Sequence, residues 1–127
     1  MADFKYANHA AGLTIANIEQ AANGALEIGD LVDSTLAKAA AADTSVKFLA
    51  QSDASDGDDV LLMPLLNGTV LKGVVNGDGG VTAGASVGIA IASDAQVIDA
   101  DASNSLFIAL EAGSAGETIN VMVIAGM

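Results

Sequence analysis

Residues 48–65 read FLAQSDASDGDDVLLMPL, and residues 107–124 read FIALEAGSAGETINVMVI. Laid side by side, Phe48 falls on Phe107, Ala50 on Ala109, Ser55 on Ser114, Gly57 on Gly116, Val60 on Ile119 and Met63 on Met122. In each copy an apolar run led by Phe gives way to a small polar loop carrying Gly, then to a second run of Val, Ile, Leu and Met. This is the pattern of a β-hairpin with a longer loop. A shorter echo precedes each copy: LEIGDLV (26–32) lies under VTAGASV (81–87), with Gly29 on Gly84 and Val32 on Val87. The second half is the longer, which places its extra residues in a loop around Ser93–Ser105. The chain therefore reads as two related β units, about 23–68 and 79–127.

Glycine and Asn-Gly punctuation cuts these units into short apolar segments at the spacing of a small barrel or sandwich. The expected strands are about 25–32, 35–39, 46–51, 60–66, 69–75, 86–92, 96–99, 106–111 and 119–125. Residues 34–42 carry an Ala-rich helical tendency behind Ser34 or Asp33 as a cap, against a more strand-like counterpart in the second half; a strand with a helical turn is preferred. Residues 1–22 lie outside both units and form an extended N-terminal arm holding the only His and the only Tyr. Ile15, Ile18 and Ala22 with Glu19 also fit one face of a short helix. In an extended arm Phe4 and Tyr6 point to one side, so the arm docks either on its own domain or on a neighbour. The fold class is all-β, a small barrel or sandwich of two related β units with this arm.

Alternation in the strongest strands makes both faces apolar. Val60, Leu62 and Pro64 oppose Leu61, Met63 and Leu65, while Ile119, Val121 and Val123 oppose Asn120, Met122 and Ile124. A solitary small domain needs a polar outer face, so Leu61, Met63, Leu65, Met122 and Ile124 are candidate contacts to a partner or another protomer. Phe4, Tyr6, Leu13 and Ile15 of the arm join them.

The 127 residues suffice for one domain without disulfides or metal. There is no Cys, and hence neither a redox framework nor a thiolate site. Sixteen acids against four Lys and no Arg give a net charge of −12, a surface that repels phosphate and leaves no basic patch for nucleic acid. The apolar run 60–66 is far short of a bilayer span, so no membrane segment is expected, and the N-terminus lacks the basic start and apolar core of a signal peptide. His9 stands alone, no Ser sits in a nucleophile elbow and no Gly-Lys-Ser/Thr cradle occurs, so the chain does not read as an enzyme and no cofactor is implied. The loop Asp53–Asp59 clusters carboxylates around a Gly but lacks EF-hand spacing; it is read as a polar turn. The acids between Ser93 and Ser103 are read as a charged edge.

The run VTAGASVGIAIASDAQVIDADASNSLFIALEAGSAGETINVMV (81–123) resembles the small β proteins encoded beside the major capsid gene in tailed-phage structural modules, the capsid decoration or cement proteins. Its marks are Ala83-Gly84 with Val87, the segment Phe107–Ala112 leading to Ala115-Gly116-Glu117, and a terminal Val/Ile strand; the resemblance covers about residues 24–127. It implies a compact barrel, a dimer or trimer on the capsid exterior, that contacts the major capsid protein and bridges neighbouring subunits. It also places the mature protein on the virion, after synthesis in the host cytoplasm. The rival readings are another virion component, such as a head-fibre base or tail protein, and a ligand-binding β module, for which Trp or Tyr is expected at the site.

Overall fold

In the computed structural model, which describes residues 4–8, 17–41, 43–101 and 105–126, both quoted stretches are hairpins in one register. β4 (Val46–Ala50) pairs with β5 (Asp59–Pro64) through Phe48–Pro64, Leu49–Met63 and Ala50–Leu62. β9 (Phe107–Ala109) pairs with β10 (Thr118–Val123) through Phe107–Val123, Ile108–Met122 and Ala109–Val121. The loops match too: Asp58 N–H donates to the Ser55 carbonyl as Glu117 N–H does to that of Ser114, both at 3.0 Å. Gly57 and Gly116 hold φ at 83° and 84°, a region open to Gly without steric cost.

The equivalence extends to the flanking strands. β3 (Leu31–Asp33) sets Val32 opposite Phe48, and β7 (Ser86–Ala92) sets Val87 opposite Phe107. The isolated bridge Leu26–Ala54 is matched by Val81–Gly113. β2 (Ile18–Ala21) borders β5 with Glu19 opposite Leu61, and β6 (Val70–Val74) borders β10 with Lys72 opposite Asn120. The first unit is thus the four-stranded sheet β2-β5-β4-β3. The second, β6-β10-β9-β7, is widened by β1 (Phe4–Asn8) on β6 and β8 (Ala95–Asp99) on β7 into a six-stranded sheet, β1-β6-β10-β9-β7-β8.

The two antiparallel sheets pack as a sandwich and no closed barrel forms, so the barrel implied by the resemblance is replaced by the other expected architecture. The arm needs correction. Of residues 1–22, β1 and β2 are integral strands, and β2 belongs to the first repeat, which begins near residue 18 rather than 23; the second begins near 70 rather than 79. Residues 34–41 form turns with one bridge, Val32–Lys38, because Leu36 at φ 69° breaks both helix and strand. The extra length of the second unit includes the β7–β8 hairpin, closed by Ser93 and Asp94, both at positive φ as a type I′ turn demands.

Each unit has a front face and a back face. The fronts bury equivalent side chains: Ala22, Leu26, Val32, Phe48, Ala50, Val60 and Leu62 in the first, and Val75, Val81, Val87, Phe107, Ala109, Ile119 and Val121 in the second. The back of the first sheet, carrying Leu31, Leu49 and Met63, joins the front of the second in one continuous core with Phe4, Leu71, Ile89 and Ile98. The repeats therefore stack back to front. The Phe4 ring packs on Phe107 at 5.7 Å and sits opposite Gly73, where a side chain would occupy its place.

A Cβ at Gly73 would lie 2.6 Å from Phe4 Cε1 and 3.0 Å from Ile98 Cδ1, so Gly73→Ala destabilises by about 1–3 kcal/mol in urea unfolding, whereas Gly77→Ala, with open space around it, does not. Asp33 tests the first unit's tight turn. Burial opposes its ionisation, but hydrogen bonds from the Thr35 hydroxyl and the Ala37 and Thr35 N–H groups outweigh this and hold its pKa below 3.8. The stabilisation is present above pH 3.8 and lost as pH falls through the depressed folded value. Asp33→Asn should therefore flatten the acid limb of the stability–pH curve.

Candidate interaction surface

The four Lys divide into two pairs with different tasks. Lys38 and Lys47 tie the units together, Lys38 Nζ donating to the Asp94 carbonyl at 2.8 Å and Lys47 Nζ to that of Gly126 at 3.2 Å. Lys38 also faces the buried Asp30 carboxylate at 3.3 Å, whose other oxygen accepts from Glu27 N–H. Beside them the Gln96 side chain, fully buried, accepts from Leu31 N–H at 2.7 Å and donates to the carbonyls of Leu31 and Ala39, both at 2.9 Å. Gln96 thus satisfies the outer N–H of Leu31 at the seam, which would cost about 1–3 kcal/mol if left unpaired, and shares the Leu31 carbonyl with Ala39 N–H. A cleft of about 440 Å³ opens here between Glu27, Asp30, Lys38 and the Ser93–Asp94 turn.

Lys5 and Lys72 are elsewhere. They stand directly opposite one another on β1 and β6, exposed on the back of the six-stranded sheet, with Asn120 next in the same row. No carboxylate among the described residues lies within ion-pair distance of either. The neighbouring row across β6, β10, β9 and β7 is Val70–Met122–Ile108–Ser86, its three apolar members partly exposed. Ile124 continues this face beyond β10, and Val74 and Leu110, 37% and 46% exposed, border it.

The residues nominated from sequence meet different fates. Phe4 is 1% exposed and is a core residue, not a contact. Met63 and Leu65, 5% and 1% exposed, are covered by the second unit of the same chain, so they too are corrected from outer contacts to core. Leu61 remains exposed at the margin of that face. Tyr6 is also exposed and lines, with Ile28 and Leu49, an open cavity of about 330 Å³ between β1 and the end of β4. Met122 and Ile124 are partly exposed on the back of the second sheet. Leu13 and Ile15 lie outside the described residues. Sequence reasoning missed Lys5 and Lys72, whose only signal was being half of the chain's few cations, and Gln96, a lone amide within an apolar strand.

In the Asp53–Asp59 loop, Asp53 Oδ1 accepts from Ile28 N–H and Asp56 Oδ1 from Gly24 N–H, both at 2.8 Å. Two of its carboxylates thus cap the facing turn. Asp78, Asp99 and Asp101 bring one oxygen each within 4.8 Å of the others. One Asp99 oxygen already accepts from Asp101 N–H.

No model of a known protein family matches the chain, and no curated protein is significantly similar to it.

Met63 and Met122 occupy the same position in the two repeats, one sealed and one open. Met63→Glu should abolish cooperative folding, because it buries an unpaired carboxylate. Met122→Glu should change stability by less than about 1 kcal/mol in urea unfolding, since its side chain can reach water.

Proposed function

We propose that the chain is a virion structural protein, a decoration or cement protein that binds the outer surface of a tailed-phage head and stabilises contacts between its capsid subunits. The observation that carries this reading is the back of the second sheet. It keeps Ile108, Met122 and Ile124 in partial contact with water at the positions where the first sheet has Leu49, Met63 and Leu65, all sealed beneath protein. A face with that composition suits cover by another protein. The partner in this reading is the major capsid protein, with the chain a dimer or trimer on it. Sixteen acids, most of them in exposed loops, suit the outside of a head better than its DNA-filled interior. The cavities between the described residues are open, and their aromatic lining is confined to Phe4 and Tyr6 at one of them, which weighs against a carbohydrate or small-molecule site.

Incubating the purified chain with undecorated expanded heads tests the reading. Co-sedimentation at a fixed stoichiometry, with a higher temperature of head disruption, is expected. Heads that pellet without the protein, or bind it without gaining heat resistance, would overturn it.

A further inference from the structure

The back of the six-stranded sheet combines two features that work against the free molecule. Lys5 and Lys72 are directly cross-strand, and like charges so placed repel through side chains about 5 Å apart at the Cβ atoms. The chain could relieve that repulsion cheaply, since it has sixteen acids and only four Lys. Yet no carboxylate among the described residues pairs with either ammonium. At the equivalent pairing in the first repeat, Lys72 is matched by Glu19 and Asn120 by Leu61. One row away, Val70, Met122 and Ile108 present a partly exposed apolar strip across three strands. The corresponding strip of the first repeat, with Leu49 and Met63, is the interface already formed inside the molecule.

We propose that this face is a docking surface for a protein partner that sets an apolar strip against Val70, Met122 and Ile108 and carboxylates against Lys5 and Lys72. The inference rests on the reading of the chain as a head-binding protein and specifies which side it turns toward the head: the back of the second sheet lies against the capsid subunit, and the acidic loop Asp53–Asp59 of the first unit lies away from the contact. Charge complementarity selects the occupant. A second copy of this chain brings a net charge of −12 to the contact, but it would have to use its acidic loops, beside which the described residues expose single apolar side chains, such as Ile28 next to Asp53, and not a strip across three strands. A capsid subunit can supply both parts.

The full-length chain, Lys5→Glu/Lys72→Glu and Met122→Glu are each titrated onto undecorated expanded heads, with thermal unfolding of the free proteins and sedimentation velocity of the free wild-type chain measured alongside. Both variants should fold and bind the heads at least tenfold more weakly than wild type. Lys72→Gln, which removes the repulsion and keeps an unbranched polar side chain, should raise the melting temperature of the free protein while weakening binding. A residue of purely structural value would not show that opposed pair of shifts. If wild type binds and both variants bind equally well, the docking face is wrong while the head-binding reading stands; if wild type fails to bind, the head-binding reading itself fails. Self-association of the free wild-type chain that is lost in Met122→Glu would assign the face to a second copy and overturn the proposal.

Discussion

The hairpin β4–β5 is apolar on both faces, and the rest of the molecule is arranged to cover it. Val60 and Leu62 look into the first unit and are closed over by Ala22, Leu26 and Leu36, while Leu49 and Met63 look the other way and are closed over by the second unit. Each such side chain withdrawn from water contributes roughly 1.5–3 kcal/mol. A sheet of four short strands lacks the volume to surround itself on both sides. Stacking the back of one repeat on the front of the next solves this with one sequence pattern used twice, because a strand pair that is greasy on both sides can be a core layer and a contact layer at once.

Duplication alone would make the two units interchangeable; the additions that break the symmetry cluster at their seam. β1 donates the Phe4 N–H to the Gly29 carbonyl at 2.9 Å and places the Phe4 ring in the shared core. The β7–β8 hairpin brings Gln96 to Leu31 and the Asp94 carbonyl to Lys38, and the C-terminal segment brings the Gly126 carbonyl to Lys47. Of these, β1 and the β7–β8 hairpin have no equivalent strand in the first unit, whose turn at residues 33–38 is tight. The second repeat has therefore been extended on the side that grips the first, and its back has not been given a comparable cover.

The repeat was legible because two signals survive divergence: side-chain alternation along a strand and the positive-φ glycines of the loops, here Gly57 and Gly116. What was illegible had its cause in tertiary context. β2, IEQA, and its counterpart within VLKGV share backbone pairing and almost no side-chain chemistry, since β2 is an exposed edge and β6 an interior strand, so from sequence the first repeat reads as starting five residues late. Phe4 and Tyr6 do point to one side, as alternation requires, but what lies on that side depends on Gly73, nearly seventy residues away. Met63 and Met122 are the same residue in the same pattern. Only the stacking order decides that one is core and the other is surface.

The edges of the sheets bear on how a partner can approach. β3 has three residues, with Gln96 and the Ala39 N–H on its outer groups at Leu31; β8 is bridged at Ile98 by Val75; β2 has four residues and carries Glu19; β1 carries Lys5. Short or charged edges of this kind discourage strand addition, which leaves faces, not edges, for recognition. Of those faces, three are accounted for by the two fronts and the back of the first sheet. The fourth holds the two cations not used at the seam. In a molecule of net charge −12, most orientations repel an anionic surface out to the Debye length of about 8 Å. Within that range a local pair of ammonium groups would make one orientation favourable and the others not, so in the proposed complex the lysine pair would influence the pose more than the overall attraction.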